Sequence, residues 1–366
     1  MSIIFFFKEV KKPVINNTNT SSVSFNKIYS NIKSNITEIK KSNSISSKDL
    51  IINNTYALIT QAYGLKQYTQ KINNEKKILN SLYYSTNNIV PINNYQILSD
   101  IGISYPTAHI TSMQNLSGKI YLTDPKSQYI YSISDINEST PKIFSSLNKG
   151  ISIPQYITYS VTQNSLYLYD LNKGLLSIGL NGSLSPVISA INNANISYIQ
   201  AYAGNIYLLD KTSGSVYAVN THSLSYSKAF SSNALKGARS FAVDGNIFII
   251  NKYGNIVRFF NNQVTPFAVS NTNPMEYPLE NLSFIYDNQY LNYIYLLDPE
   301  HDRIVVLQKP ASGSLNTIDY KFVKQYVYMG TANKSFFSHM SAMALSSNGK
   351  YIYILSGNKV IKMSIS

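Results

Sequence analysis

A chain of 366 residues, 44% of them hydrophobic and only 13% charged, can bury a substantial core and is too apolar for a disordered tail. The absence of cysteine excludes disulfides, thiolate metal ligands and a cysteine nucleophile. The net charge of +13 is unevenly spread, since residues 1–93 hold 12 lysines against 4 acidic residues, a net +8.

The first feature in chain order is the apolar run Ile3 to Phe7, which suits a short strand and is too brief for a signal-peptide core. Neither a cleavable signal nor a transmembrane segment is expected, because no stretch approaches the roughly 20 apolar residues of a membrane span. After a Ser/Thr/Asn-rich linker at residues 15–24, the residues Phe25, Ile28, Tyr29, Ile32, Ile36 and Ile39 recur at helical spacing. A second, longer helix is expected from a Ser46-Ser47 cap to about Tyr84. Its residues Leu58, Leu65, Ile72 and Leu79 form an apolar seam, interrupted by Thr69 and Lys76, that must be covered. These four are the candidate assembly-anchoring residues, with a helical hairpin or homo-oligomerisation as other ways to cover them. Residues 1–93 are therefore read as a basic N-terminal arm of one short strand, a linker and two amphipathic helices. The arm has no arginine and no groove-reading motif, so nucleic acid is an unlikely partner, and an acidic glycan, membrane surface or protein suits its charge better.

From residue 94 onward one phrase returns six times, as IYLTD, LYLYD, IYLLD, IFIIN, IYLLD and IYILS. Its aromatics are Tyr121, Tyr167, Tyr207, Phe248, Tyr295 and Tyr353. A spacing of 40 to 58 residues matches one four-stranded sheet per repeat. Glycines 118, 204, 245 and 349 supply turns before the phrase, and Asp124, Asp170, Asp210 and Asp298 end it as turn formers. A closing strand follows at residues 142–144, 186–188, 228–230, 266–268 and 324–327, but the sixth repeat stops before supplying one. Residues 94–100 resemble that closing phrase and are expected to complete the last sheet. The predicted fold is all-β: a six-bladed β-propeller over residues 94–366, behind an α-helical N-terminal arm.

In repeat length and strand pattern, residues 94–366 resemble the six-bladed propeller class typified by NHL-repeat and lactonase-like domains. That class implies the architecture and spans hydrolases, lyases, receptor ectodomains and scaffolds. The composition, rich in Tyr, Ile, Asn and Ser, resembles that of structural proteins of viruses infecting thermoacidophilic archaea. Ten Asn-x-Ser/Thr triplets are no more than this composition produces by chance.

A propeller ligand would meet side chains at the starts of the innermost strands, and the candidates there are Gln155, Asn195, Arg239, Glu280, Asn281 and His339. One acid, one imidazole and one guanidinium fall short of the several carboxylates a metal-dependent lactonase needs. The four histidines stand in different repeats, and neither a Gly-x-Ser-x-Gly elbow nor a phosphate loop occurs. No catalytic residue, metal or cofactor is expected. The chain reads as a non-enzymatic recognition protein on a larger assembly, a virion or extracellular surface filament, with other structural proteins as partners and a host surface protein or glycan as target. The alternative is a lactonase-like hydrolase at the channel mouth around Glu280 and His339.

Overall fold

The computed structural model describes residues 18–65, 69–135, 140–272, 275, 277–287, 290–310, 319–330 and 334–365. Strand propensity decides most of it, because each of the six phrases sets an aromatic residue among aliphatic ones and forms the second strand of an antiparallel sheet. Six such sheets stand around a ring. Their innermost strands are Ser112–Leu116, Pro154–Ser160, Ile196–Tyr202, Ser240–Val243, Phe284–Tyr286 and Met340–Leu345, each beside the next and the last beside the first. Glycines 118, 204, 245 and 349 all have positive φ, the conformation their hairpin turns require.

Ring closure follows the strand count. β1 (Ile89–Pro91) and β2 (Tyr95–Asp100) precede the first blade, and β2 pairs antiparallel with Lys359–Ser364, setting Ile97 opposite Ile361. The last blade thus takes its outer strand from the front of the chain, which leaves no open edge there. Leu98 and Ile101 are buried among Ile120, Leu122, Leu355 and Val360, so this closure also seals the core between the sixth and first blades.

Hydroxyl side chains tie neighbouring blades near the channel. Ser112 Oγ accepts the Ile157 N–H at 3.3 Å, Thr158 Oγ1 the Ala201 N–H at 3.2 Å, and Ser240 Oγ the Ile285 N–H at 3.1 Å. In each pair a short hydroxyl satisfies an N–H that the innermost edge would otherwise leave bare.

The outer strand of the fourth blade departs from expectation. It is Gln263–Thr265, whereas residues 266–268 were expected. Pro266 lacks the N–H to continue the ladder. Beyond it Ala268–Ser270 crosses over and pairs in parallel with Asp319–Lys321 of the fifth blade. Phe267 stacks on Tyr320 at 4.4 Å and fixes the crossover.

The arm also differs, having three helices among its described residues: α1 (Thr18–Lys41), α2 (Ile45–Gly64) and α3 (Thr69–Thr86). The expected linker at 15–24 is helical from Thr18 onward, and the run Ile3 to Phe7 lies outside the described residues. The cap of α2 is Ser44, which accepts the Ser47 N–H, not the Ser46-Ser47 pair. The single long helix expected to Tyr84 breaks after Gly64, a poor helix former placed where α2 and α3 reverse direction. Phe25, Ile32, Ile39, Ile52, Ile59, Ile72 and Leu79 make one core between the three helices.

The bundle is fastened to the rim. β1 runs parallel to residues 325–327 on the outer strand of the fifth blade, Ile89 and Val327 join the helical core, and Gln325 donates to the Asn87 carbonyl at 3.0 Å. No helix among the described residues is long and apolar enough to cross a membrane.

Candidate functional site

The sequence candidates stand at or just before the starts of the innermost strands. Gln155 is the second residue of its strand, and its carbonyl accepts the hydroxyls of Thr111 at 2.7 Å and Thr123 at 2.9 Å. Asn195 is exposed and donates to Thr212 Oγ1 at 3.1 Å. The exposed Arg239 accepts the Tyr198 hydroxyl on its carbonyl and reaches Leu282 O from Nη1 at 3.4 Å. Glu280, Asn281 and His339 are exposed, and His339 Nδ1 lies 2.7 Å from Ser335 O. None of the six hydrogen-bonds another of the six among the described contacts, so the structure does not assemble them into one acid–base pair.

The channel instead holds a cavity of about 490 Å³ that reaches from Tyr156 and Tyr198, beside the starts of the innermost strands, to Ser117, Thr162 and Ala203, where those strands turn into the second strands. Its wall includes Gln114, Asn115, Thr158, Ser160, Gln200 and Asp287, together with the tyrosines 156, 159, 198, 202, 286 and 290, and none of the six sequence candidates. Its volume falls in the roughly 300–1,000 Å³ range of small-molecule pockets. Burial raises the pKa of Tyr156, and burial followed by Tyr156 itself raises that of Tyr198, so both hydroxyls stay protonated at any physiological pH. Sequence reasoning passed over this cavity. The usable signal was period-2 alternation on successive innermost strands, as in Tyr156, Thr158, Ser160 and then Tyr198, Gln200, Tyr202.

Asp287, the one carboxyl among the described residues of the cavity wall, belongs to a buried ionic cluster. Lys309 Nζ lies 2.8 Å from Asp244 Oδ2 and 2.5 Å from Asp287 Oδ1, tying the fourth blade to the fifth. One ammonium can neutralise one carboxylate, so the two acids divide. Burial and the neighbouring Asp244 charge push the Asp287 pKa well up, whereas for Asp244 the penalty of burial is outweighed by Lys309 and its pKa falls. Asp287 is thus the acid that favours its protonated form, and Asp244 the one that favours ionisation beside Lys309.

A pH dependence follows. The folded chain holds the Asp287 proton more tightly than the unfolded chain, so this group favours folding at low pH. That advantage is lost as pH rises from about 4, the ordinary carboxylate value, to the raised folded value. Asp287→Asn should flatten stability across that window, removing a slope of up to about 1.4 kcal/mol per pH unit. Urea melts from pH 4 to 8 check it; an unchanged slope in the variant would show that another group titrates.

The turn aspartates are occupied by their own loops. Asp170 accepts four N–H bonds, from Ser152, Ile153, Asn172 and Lys173, and Asp210 accepts from Thr212 and Ser213. Asn251 does the same at the corresponding corner for Tyr253 and Asn255. An amide serving interchangeably with a carboxylate marks turn chemistry. Among the described residues no group of three or more His, Asp or Glu side chains is placed to hold a metal.

Of the anchoring candidates, Ile72 and Leu79 are fully buried in the three-helix core, and Leu58 and Leu65 are half-buried against it. The seam is covered within the chain itself, by α1 and by the turn of α2 onto α3.

No family model matches this sequence, and no curated protein matches it. Solved structures do. A gluconolactonase of Xanthomonas campestris is 8% identical with a TM-score of 0.51, covering 74% of this chain and 89% of that one. Virginiamycin B lyase of Staphylococcus aureus is 11% identical at a TM-score of 0.49, covering 75% and 99%, and a chain of a nidogen/laminin complex is 11% identical at 0.41, covering 60% and 85%. At such identities the likeness is one of fold alone, the six-bladed β-propeller, which here follows a bundle of N-terminal helices.

Proposed function

We propose that this chain is a non-enzymatic recognition protein of a larger assembly, a virion or extracellular surface filament, in which the helical bundle meets other structural proteins and the propeller presents its channel to a target. The observation that carries this reading is the separation of two differently built surfaces. The bundle hangs on the outer strand of the fifth blade, and the cavity lies at the centre of the ring. Apart from Asp287, which is paired with Lys309, the polar groups of the cavity wall are hydroxyls and amides, groups that bind without reacting.

With the apolar seam internal to the bundle, attachment falls to its outer face. Lys40, Lys41, Lys71 and Lys77 are exposed there, and such a surface favours an acidic partner, more strongly at low salt. Replacing Lys40, Lys41 and Lys77 by Glu leaves the helical core untouched. It should release the protein from native particles in a sedimentation assay while the melting temperature stays unchanged. Retention of the triple variant on the particles, at the wild-type level and salt dependence, would refute the bundle as the attachment element.

A further inference from the structure

Three properties of the cavity narrow what it can hold. The first is an unmet hydrogen-bond requirement. Asn115 is only 7% exposed and donates from Nδ2 to Leu345 O at 2.8 Å, yet its Oδ1, buried in the cavity wall, has no partner among the described residues. A buried amide oxygen left bare costs free energy, and although Oδ1 is enclosed as the side chain stands, a turn of the Asn115 amide toward the cavity would let a bound hydroxyl recover that cost. The second is aromatic surface. Tyr156 and Tyr198 stand with ring centroids 5.4 Å apart and tilted by 39°, and Tyr290, 55% exposed, stands at the rim. A tyrosine offers an apolar face and a polar tip together. The third is charge: among the described residues the wall has no Lys, Arg or His, and the one carboxyl among them, Asp287, is turned on Lys309. An anion would find no counter-charge and a cation no free carboxylate.

A ligand that fits all three is uncharged, has hydroxyls around its edge and presents C–H faces above and below. We propose that this cavity, lined by Asn115, Tyr156, Tyr198, Gln200 and Tyr290, is a binding site for a neutral saccharide. The inference rests on the reading of the chain as a recognition protein and adds the chemistry of its target. Arg239, Glu280 and His339 are not among the residues lining it, although the Arg239 carbonyl accepts the Tyr198 hydroxyl.

The test uses the full chain and saturation-transfer NMR with the methyl glycosides of glucose, galactose and mannose, with N-acetylglucosamine and with lactose. Concentrations of up to about 20 mM saturate a millimolar site. At least one of these should bind, and Tyr290→Ala, at an exposed position that should leave folding intact, should weaken it by tenfold or more. Asn115→Ala should do the same where its melting curve shows a folded chain, whereas Arg239→Ala with His339→Ala should bind as the parent does. The proposal falls if no neutral sugar binds, if Tyr290→Ala binds unchanged, or if glucose 6-phosphate binds in preference to the neutral sugars. Loss of sugar binding with continued sedimentation on particles would sink the saccharide site and leave the assembly reading standing. Binding accompanied by conversion to a new compound would support the site and overturn the non-enzymatic reading.

Discussion

Removing residues 1–102 is expected to turn the propeller into an aggregating chain, whereas removing residues 1–88 is expected to leave it folded and soluble. The longer deletion takes away β2, and with it the partner of Lys359–Ser364 and the Asp100–Lys359 ion pair at 3.2 Å. It also removes Leu98 and Ile101, both buried against the first and sixth blades. Fully burying each contributes roughly 1.5–3 kcal/mol, so about 3–6 kcal/mol goes before the bare edge is counted. That loss is a large share of the roughly 5–15 kcal/mol by which a domain is stable. The exposed edge of the last blade then offers unpaired N–H and C=O groups to a second chain. The shorter deletion spares β1 and β2 and uncovers only the patch around Ile89 and Val327. Thermal melts and light scattering of the two truncations compare them directly; equal solubility and equal melting would show that β2 does not close the ring.

Arg303→Ala should be the most damaging single substitution in the propeller, costing about 3–5 kcal/mol, because it strands a buried carboxylate. Arg303 is 1% exposed, and its Nε lies 2.7 Å from Asp298 Oδ2. Its other nitrogens donate to Gln325 Oε1 at 2.9 Å and to the Tyr277 and Pro278 carbonyls at 3.1 and 2.9 Å. His301 completes the cluster, with Nδ1 2.8 Å from Asp298 and its ring stacked on Tyr277 at 4.1 Å. Alanine would cut all of the Arg303 ties at once, leaving only His301 on the Asp298 carboxylate, and through Gln325 it would loosen the strand that holds the helical bundle. The carboxyl of Asp298 is disfavoured by burial, yet the hydrogen bond from His301 and the charge of Arg303 outweigh that and hold its pKa below the usual range. A depressed folded value means a contribution intact above about pH 4 that fades as pH falls through the folded value. Urea melts at pH 7 should show the full loss in Arg303→Ala, with the gap to the parent narrowing toward pH 2. A change of under about 1 kcal/mol at pH 7 would mean that water replaces the guanidinium at little cost.

The two cases differ in how far they could be seen beforehand. The closing role of residues 94–100 was legible, since a phrase missing from the sixth repeat and an orphan copy ahead of the first one are both visible in linear order. The cluster around Arg303 was not. Asp298 was recognised as a turn former, which it is, but the contacts of its partner Arg303 with Tyr277 and Gln325 cross between elements far apart in the chain. The same holds for Lys309, which meets Asp244 and Asp287 only because the fourth and fifth blades stand side by side.

Sequence alone determined what depends on neighbours a few residues apart. Strand period, aromatic spacing, turn aspartates and the 3-4 recurrence along α1 are local signals, and each formed the element expected of it. The tertiary structure decided what depends on register and facing. The break after Gly64 folds α3 back, so that Ile72 and Leu79 are buried inside the bundle and do not form an outer seam. Pro266 ends one blade's ladder and sends Ala268–Ser270 to the next. Which side chains share the central cavity is set by how six strands tilt and meet around the ring, and the spacing of side chains along any one strand holds no information about that.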